Sequence, residues 1–322
     1  MMYGRGSSVL VSVLDWGLGH ATRTSVIVGI LLKRGCRVTL AGSGRSLELL
    51  RSDYPELQHV SLPSFSPTLS RGKRQWVKIV MQLPTFLWSI MRERQMTKKI
   101  VSEMRPDLII SDNRYGVRDK RCRSIIITHQ LRPKIGRGWP RWVENIVSWT
   151  LCRWIKKFDG CLVPDLRIGG LSGELSGDVP HGMIVHKIGV LSRLTDAEGS
   201  NEEEVDWLGI VSGPEPQRAM LEKELTERFG REAGRRVVVC GRGAGDEGEW
   251  LTEDGVEKIG YADARRLKGL ILAAKHIVCR SGYSTIMDLA ALGKRAELIP
   301  TPGQGEQEYL AERLNDGDWD VV

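Results

Sequence analysis

The sequence has 322 residues, of which 41% are apolar and 27% charged, and carries a formal net charge of +7. This composition indicates a soluble globular protein, and the length exceeds what one hydrophobic core usually organises, so we expect two domains. Its six cysteines include no Cys-x-x-Cys pair, which argues against a zinc site and favours buried free thiols over disulfides.

Charge is divided unevenly along the chain. Residues 1–190 hold 30 Lys and Arg against 14 Asp and Glu, giving +16, whereas residues 191–322 hold 17 against 26, giving −9. A basic half either serves solubility or meets an anionic partner, namely nucleic acid, a membrane surface or a phosphorylated substrate. No recognised nucleic-acid-binding motif is present, so no nucleic-acid partner is expected.

The first residues of the sequence bear on whether a leader is expected. Asp15 and the glycine-rich turn after it interrupt the first apolar run, so a signal peptide is not expected. No stretch reaches the roughly 18 apolar residues that span a bilayer. The sequence therefore predicts a cytoplasmic protein.

Short apolar runs alternate with helical patterns through the first half of the chain. They predict a helix over Ala21–Lys33 and strands over Val9–Leu14, Arg37–Ala41, Asp107–Ser111, Ser124–Thr128 and Cys161–Val163. Apolar strands separated by helices are typical of a parallel sheet with right-handed crossovers. Residues 1–190 are therefore predicted to form an N-terminal Rossmann-like domain.

The same alternation returns after an acidic, polar stretch that we interpret as a linker over residues 191–204. Residues 205–322 form the second predicted domain, with strands over Trp207–Val211, Val237–Cys240, His276–Cys279 and Ala296–Ile299 and helices over Gln217–Phe229, Arg265–Ala274 and Gln307–Leu314. The predicted fold class is α/β, with two doubly wound Rossmann-like domains that face an interdomain cleft.

The run Arg280–Asp288 follows an apolar strand and opens a helical pattern that ends at Gly293. A helix start carries unpaired N–H groups and partial positive charge, so Ser, Gly and Thr residues there can hold a phosphate. Asp288 lies four residues after Ser284 on the same helix face, where a carboxylate can bind ribose hydroxyls. An ordinary capped helix with a solvated Asp is the open alternative.

A glycine-rich turn, Asp15–Arg23, joins the first strand to the first helix. It is not a dinucleotide fingerprint, because Thr22 stands where the third glycine belongs. It places His20 at a helix start, whose dipole disfavours imidazolium, so the ring is predicted to be neutral and able to accept a proton. A capping or packing histidine remains the alternative, and Arg23 either holds a substrate anion or forms a salt bridge.

Two further loops follow strands of the second half. Ser212–Arg218 combines Gly213, which allows a tight turn, with Pro214, which suits the first turn of a helix. Pro300–Tyr309 is a proline- and glycine-rich loop whose polar side chains suit sugar hydroxyls: Gln304, Glu306, Gln307 and Glu308. A plain loop with solvated side chains is the alternative in each case.

These motifs together resemble the MurG-like glycosyltransferases, family 28 of the GT-B fold. The resemblance rests on Arg280–Thr285, on the loop through Gln307–Tyr309 and on Gly17–His20. The chain is also similar to predicted transferases of this group that carry the motif of Ser212–Arg218. It implies an inverting, metal-independent transfer of a sugar, such as N-acetylglucosamine, from a nucleotide diphosphate donor, often a UDP-sugar. No cofactor is implied beyond that co-substrate.

The resemblance also implies that residues 1–190 bind the acceptor and that residues 205–322 bind the nucleotide-sugar donor, and it assigns site residues. It makes His20 the catalytic base and Gly17, Gly19 and Arg23 the acceptor-side loop, with a hydroxyl acceptor that is a glycan or is lipid-linked. The donor-binding residues are, by position in this sequence, Ser212, Gly213, Arg218, Arg280, Ser281, Gly282, Ser284, Thr285, Asp288, Gln304, Gln307 and Glu308. Glu215 departs from the pattern, because a carboxylate beside a phosphate is unfavourable unless it points away.

Two basic segments that carry tryptophans bear on the acceptor. Residues 73–99 and 137–157 alternate Lys and Arg with apolar residues. Such segments suit the interface of an anionic membrane, which predicts peripheral attachment to the cytoplasmic leaflet. Core helices with a basic solvated face are the alternative.

Other functions fit the same motifs. A nucleotide-sugar hydrolase also uses a Gly-x-Gly-His-x-x-Arg loop, which Gly17–Arg23 matches. An epimerase would interconvert donor sugars, and a non-catalytic nucleotide-sugar-binding protein would need Asp288 but not His20.

Overall fold

The computed structural model describes residues 4–63, 75–136, 141–166, 170–177, 179, 181–242, 250–317 and 319, with residues 75–81, 83, 141, 250 and 251 described by their backbone alone. The chain divides into two compact units, residues 1–191 and residues 192–322. Each unit is built around its own sheet.

The first unit contains a seven-stranded parallel sheet within the described residues. Its strands are β1 (Ser8–Ser12), β2 (Arg37–Gly42), β3 (Gln58–Ser61), β4 (Leu108–Asp112), β5 (Arg123–Ile127), β6 (Gly160–Val163) and β7 (Val185–Lys187), and its helices are α1 (Leu18–Lys33), α2 (Gly44–Asp53), α3 (Gln75–Met104) and α4 (Arg141–Ile155). The order β3-β2-β1-β4-β5-β6-β7 places the switch point between β1 and β4, as in a doubly wound sheet.

The two faces of this sheet are packed separately. Along β1, Val9 and Val11 belong to the core cluster that includes α1 and α2, whereas Leu10 between them belongs to the cluster that includes Ile100 and Val101 of α3. Side chains that alternate along a strand point to opposite faces. Both faces are therefore covered, which explains the continuous apolar runs in the sequence.

The second unit contains a six-stranded sheet within the described residues. Its strands are β8 (Val205–Ile210), β9 (Arg236–Val239), β10 (Trp250–Glu253), β11 (Val256–Ile259), β12 (Ala274–Arg280) and β13 (Glu297–Ile299), and its helices are α5 (Gln217–Phe229), α6 (Ala264–Ala273), α7 (Tyr283–Ala291) and α8 (Gly305–Asn315). The order is β10-β11-β9-β8-β12-β13, and only β10 pairs antiparallel in the described sheet. The prediction of two Rossmann-like α/β domains is confirmed.

The acidic segment after residue 191 lies on the second unit. The Lys268 ammonium donates to the carbonyl of Ala197 at 2.8 Å, the backbone N–H of Ser200 donates to the carbonyl of Arg265 at 3.1 Å, and Leu194 is fully buried. The stretch interpreted as a linker is therefore an ordered part of this unit's surface.

A buried ion pair ties the carboxyl edge of the first sheet together. Arg114, which follows β4 and is 1% exposed, donates from Nε to Glu93 Oε1 of α3 at 3.1 Å and from Nη1 to the carbonyl of Val13 at 3.0 Å. It also donates to the carbonyl of Pro63. The second oxygen of Glu93 accepts the backbone N–H of Gly116 at 3.2 Å. The Arg114 guanidinium thus connects the ends of three strands with α3.

We expect Glu93→Gln to lower the free energy of unfolding by about 3 kcal/mol, because it leaves the Arg114 charge buried without its counter-ion. Urea denaturation of the full chain measures this as a lower midpoint with an unchanged slope. The matched control is Glu103→Gln, which removes a carboxylate of the exposed Lys99–Glu103 pair on α3 and should cost less than about 0.5 kcal/mol. Equal midpoints for the two variants would contradict the role of Glu93.

Candidate functional site

The glycine-rich turn places His20 in the first turn of α1. The helix begins at Leu18, three residues before the predicted start, and Gly17 precedes it with φ 110°, a conformation that favours glycine. The backbone N–H of His20 donates to the carbonyl of Gly17 at 3.3 Å, and Thr22 Oγ1 donates to the carbonyl of Gly19 at 3.0 Å. The predicted helix-start position of His20 is confirmed.

The side chain of His20 lies against a buried carboxylate. Asp112 is the last residue of β4, the strand that pairs with β1, and its Oδ1 lies 3.2 Å from His20 Nδ1. Asp112 Oδ2 accepts Arg23 Nε at 2.9 Å and Thr24 Oγ1 at 3.0 Å. Arg23 is 4% exposed and also bonds Asp112 Oδ1. Of the two roles open to Arg23 from sequence, the structure therefore shows the salt bridge.

The protonation of this cluster follows from burial and charge. Burial and the neighbouring Arg23 charge lower the pKa of His20, against a smaller opposing effect of Asp112. Burial alone would raise the pKa of Asp112, but the Arg23 and His20 interactions outweigh it and hold that pKa below its ordinary value. The ring is therefore neutral near pH 7, as predicted, but mainly because it is buried.

The tautomer of His20 depends on the partner of Nδ1. Arg23 Nη2 lies 2.8 Å from Nδ1 and also donates to Asp112; because this nitrogen carries two hydrogens, it can donate to both when Nδ1 is unprotonated. With the proton on Nδ1, the ring donates to Asp112 and Nε2 becomes the proton acceptor. Asp112 thus fixes the position of the His20 ring, a contact that the sequence patterns did not reveal although a carboxylate at a strand end beside β1 was a visible signal.

The predicted phosphate turn is a strand, a two-residue turn and a helix start. Strand β12 ends at Arg280, Gly282 precedes α7, and no described side chain caps that helix. Ser284 and Thr285 are partly exposed, whereas Ser281 is fully buried and donates from Oγ to the carbonyl of Gln307 at 2.9 Å. The open helix start is the part of the motif that an anion can reach.

Arg280 points away from this turn. It is 4% exposed and donates from Nη1 to the carbonyl of Pro300 at 3.2 Å and from Nη2 to the carbonyl of Gln217 at 2.8 Å. Burial lowers its pKa. Its guanidinium joins three loops at the carboxyl edge of the second sheet, and its assignment as a diphosphate ligand stays a prediction.

The loop after β8 differs from its expected form in one respect. Pro214 lies before the helix, because α5 begins at Gln217; the carbonyl of Pro214 accepts the backbone N–H of Arg218 at 3.0 Å. Gly213 adopts φ 107° with open space on its Cβ side, so a ligand can approach the backbone there. Ser212 is partly exposed.

The loop after β13 is held by its own polar side chains. Gln307 Oε1 accepts the backbone N–H of Thr301 at 2.8 Å, and Glu308 Oε1 accepts that of Gly303 at 2.8 Å. Gln304 precedes α8. Glu308 Oε2 is buried without a hydrogen-bond partner. A buried carboxylate oxygen with no donor is costly, so it is a candidate for a ligand hydroxyl.

Asp288 is bound by a residue from the segment before β8. Ser192 Oγ donates to Asp288 Oδ1 at 2.5 Å. Burial raises the pKa of Asp288 to about 6, partly offset by the Ser192 hydrogen bond and the Arg193 charge. The carboxylate occupies the predicted face of α7, but a ribose hydroxyl would share it with Ser192.

The basic segments of the first unit are exposed over part of their length. Side chains that stand out to solvent are, on α3, Leu87, Trp88 and Met91, and on α4, Trp142, Ile146 and Trp149, which we call the apolar α3–α4 surface. Phe86 and Trp154 instead pack together, with ring centroids 6.0 Å apart. Residues 73, 74 and 137–140, with Trp139, lie outside the described residues, as do the side chains of Trp76, Val77, Ile79, Val80 and Leu83.

Comparison with known proteins assigns the second unit to a family. Residues 225–320 match the model of the glycosyltransferase family 28 C-terminal domain. A UDP-N-acetylglucosamine--N-acetylmuramyl-(pentapeptide) pyrophosphoryl-undecaprenol N-acetylglucosamine transferase of Haemophilus influenzae (strain PittGG) is 24% identical over 256 residues, which cover 76% of this chain and 66% of that protein. The enzyme of the same name from Paenarthrobacter aurescens (strain TC1) is 36% identical over 70 residues, 21% of this chain and 18% of that protein.

Solved structures share the fold. MurG of Acinetobacter baumannii superposes with a TM-score of 0.56 at 12% identity, over 97% of this chain and 84% of that one. The glycotransferase of kitacinnamycin gives a TM-score of 0.64 at 17% identity, over 96% and 84%. The predicted GT-B fold is therefore confirmed, while the roles of individual residues stay predictions.

The raised pKa of Asp288 predicts a pH-dependent effect of its removal. The folded protein holds the proton more tightly than the unfolded chain, so the wild type loses stability as pH rises from about 4 to 6. We expect Asp288→Asn to be more stable than wild type by up to about 2 kcal/mol at pH 8 and equal to it near pH 4. Urea midpoints at both pH values test this, with Glu227→Gln on α5 as the exposed control; a stability difference that does not change with pH would rule it out.

Proposed function

We propose that this chain, a MurG-like member of glycosyltransferase family 28, transfers a sugar from a nucleotide diphosphate donor to a hydroxyl acceptor with inversion at the anomeric carbon. The donor is a UDP-sugar, with N-acetylglucosamine as the first sugar to test, and the acceptor is lipid-linked. The observation that carries the proposal is the contact of 3.2 Å between His20 Nδ1 and the buried Asp112 carboxylate, in a chain whose residues 225–320 match the family's C-terminal domain.

The reaction needs one base and one leaving-group site. His20 Nε2 removes the acceptor hydroxyl proton as that oxygen attacks the anomeric carbon, and Asp112 stabilises the imidazolium that forms. The bond between the anomeric carbon and the diphosphate breaks in the same step, and its electron pair leaves with the nucleotide diphosphate. The open N-terminus of α7, with Ser284 and Thr285, stabilises that charge without an essential metal.

Donor recognition is divided among the loops of the second unit. Asp288 binds the ribose hydroxyls, and Ser212 with Gly213 lets the backbone approach the diphosphate. The unpartnered Oε2 of Glu308 supports a hydrogen bond to a hydroxyl of the transferred sugar, with Gln304 and Gln307 beside it. Gln307 and Glu308 already fix the loop backbone, each through its Oε1, so this part of the site is formed before the donor binds.

A nucleotide-sugar hydrolase or epimerase is the second candidate, because the loop Gly17–Arg23 and the Asp112-bound His20 would activate water equally well. Measuring nucleotide release with and without candidate acceptors distinguishes them. Release that depends on an acceptor indicates transfer, acceptor-independent release indicates hydrolysis, and conversion of the donor sugar without release indicates an epimerase.

We expect His20→Ala to lose transfer while it retains nucleotide binding, since His20 belongs to the first unit and the donor loops to the second. Asp112→Asn should lower kcat by about 10²–10⁴ with little change in donor affinity, because His20 loses its orienting carboxylate.

In the wild type, kcat/KM should stay level above pH 7 and fall below the lowered pKa of His20. Steady-state kinetics measure kcat, KM and their pH dependence, and calorimetry with UDP measures nucleotide binding.

The control for these variants is His59→Ala, which removes an exposed histidine of β3 and should leave kcat and KM unchanged. Wild-type turnover in His20→Ala would sink its assignment as the base. Loss of UDP binding in that variant would instead point to a role of His20 in folding or donor binding.

The apolar α3–α4 surface supports attachment to an anionic membrane. The guanidinium of Arg92 lies 4.6 Å from the Trp88 ring centroid, and that of Arg153 lies 5.5 Å from the Trp149 ring. A nearby cavity is lined by Arg94, Lys98, Lys120 and Arg121 together with Ser102 and Asp119. Exposed tryptophans beside arginines suit the headgroup region, and the cations suit lipid phosphates. Among the described helices, none has the length and hydropathy of a membrane span.

The double variant Trp142→Ser/Trp149→Ser should bind liposomes that contain anionic lipid about tenfold more weakly at low salt. The reason is that it lacks two exposed indoles that the membrane interface would bury. Cosedimentation measures the binding. The control is Met220→Ser on α5, an exposed apolar residue of the acidic unit, which should bind as wild type does. If the wild type ignores anionic liposomes at low salt, the membrane proposal fails.

A further inference from the structure

Arg218, at the start of α5, is fixed by buried groups along one edge of its guanidinium. Nη1 donates to the carbonyl of Cys240 at 2.8 Å and to Glu222 Oε2 at 3.2 Å. Cys240 is 1% exposed and Glu222 is 8% exposed. The orientation of the guanidinium is therefore set from the protein side, and its Nη2 edge is the one that another ligand can approach.

In this structure Glu215 occupies that edge. Arg218 Nη2 donates to Glu215 Oε1, and the other carboxylate oxygen accepts the backbone N–H of Ala219, in the first turn of α5, at 3.3 Å. The Glu215 side chain is 55% exposed, whereas that of Arg218 is 16% exposed. The exposed carboxylate of Glu215 thus binds the guanidinium and the backbone N–H that a phosphate would use.

The surrounding charge explains why a second carboxylate settles there. Glu222 is shared by Arg218, by Arg242 at 3.0 Å and by Lys258 at 3.6 Å. Lys258 also binds Glu253, so Glu222 is a shared counter-ion rather than one dedicated to Arg218, and Glu215 completes the charge balance of Arg218. An exposed ion pair contributes little stability, about 0–1 kcal/mol at most, so a more highly charged ligand can displace Glu215.

We propose that Glu215 is an internal competitor for the donor diphosphate: it binds Arg218 in the empty protein, and the diphosphate displaces it. The inference rests on the proposed donor binding and goes beyond it, because it identifies a residue that lowers donor affinity. It also resolves the unfavourable placement of a carboxylate in the Ser212–Arg218 turn, since Glu215 turns onto Arg218 only until a phosphate arrives. The competition favours diphosphates over ligands of lower charge.

The test compares UDP and inorganic pyrophosphate binding to the full chain by titration calorimetry. Glu215→Gln keeps a hydrogen-bonding side chain of the same size and removes its charge, and Glu215→Ala removes both. We expect each variant to bind UDP about fivefold more tightly than wild type. The reason is that the Glu215 carboxylate no longer competes with the diphosphate for Arg218 and for the start of α5. The control is Glu227→Gln on α5, where the side chain is 57% exposed and the change in net charge equals that of Glu215→Gln; its affinity should equal that of wild type.

The outcomes separate this inference from the proposed function. Tighter binding by both Glu215 variants, with the control unchanged, supports competition. Equal UDP affinity in all four proteins overturns the competitor role and leaves donor binding intact. Weaker binding by the Glu215 variants shows instead that Glu215 positions Arg218, which also overturns it. If neither wild type nor variants bind any nucleotide diphosphate, the donor-binding function itself falls and the inference falls with it.

Discussion

The buried carboxylate of Asp112 is the interaction on which the N-terminal site depends. It joins the end of β4 to α1 through Arg23 and Thr24, and it sets the orientation of His20. A carboxylate buried with only one partner would be protonated or would destabilise the fold. Because Asp112 has three, it stays ionised, and the same contacts that satisfy it fix the imidazole. The stability of this edge of the fold and the orientation of His20 therefore come from one cluster.

Arg114, two residues later, performs a comparable task on the other side of β4. Its guanidinium holds the ends of β1 and β3 and the middle of α3, whereas Asp112 serves α1. One strand end therefore organises both layers of helices that cover the sheet. The loops that follow β1 and β4 are thereby held on a rigid edge, which suits a site whose base must be placed to within a fraction of an ångström.

Sequence patterns predicted the buried strands of the sheets but not the short strands or those at the sheet edges. The strands β1, β2, β4, β5 and β6 are continuous apolar runs and were predicted, but β3 and β7 lie at the sheet edges, contain no buried residue and leave little periodic signal. In strand β11 the buried Val256 and Ile259 flank the partly buried Glu257 and Lys258, a pattern that does not alternate and is too short to separate from a loop. His20 and Asp288 could be located by motif, whereas the partners of Arg23, Arg280 and Asp288 depend on tertiary contacts that no local pattern encodes.

The hydrogen bond from Ser192 to Asp288 has a mechanical consequence. Ser192 is the first residue of the second unit, and Leu191 before it is anchored in the core of the first. In the proposed donor complex, a ribose hydroxyl shares the Asp288 carboxylate with Ser192 and weakens one restraint on the segment before β8. Donor occupancy and the anchoring of that segment would thereby be linked through a single hydroxyl.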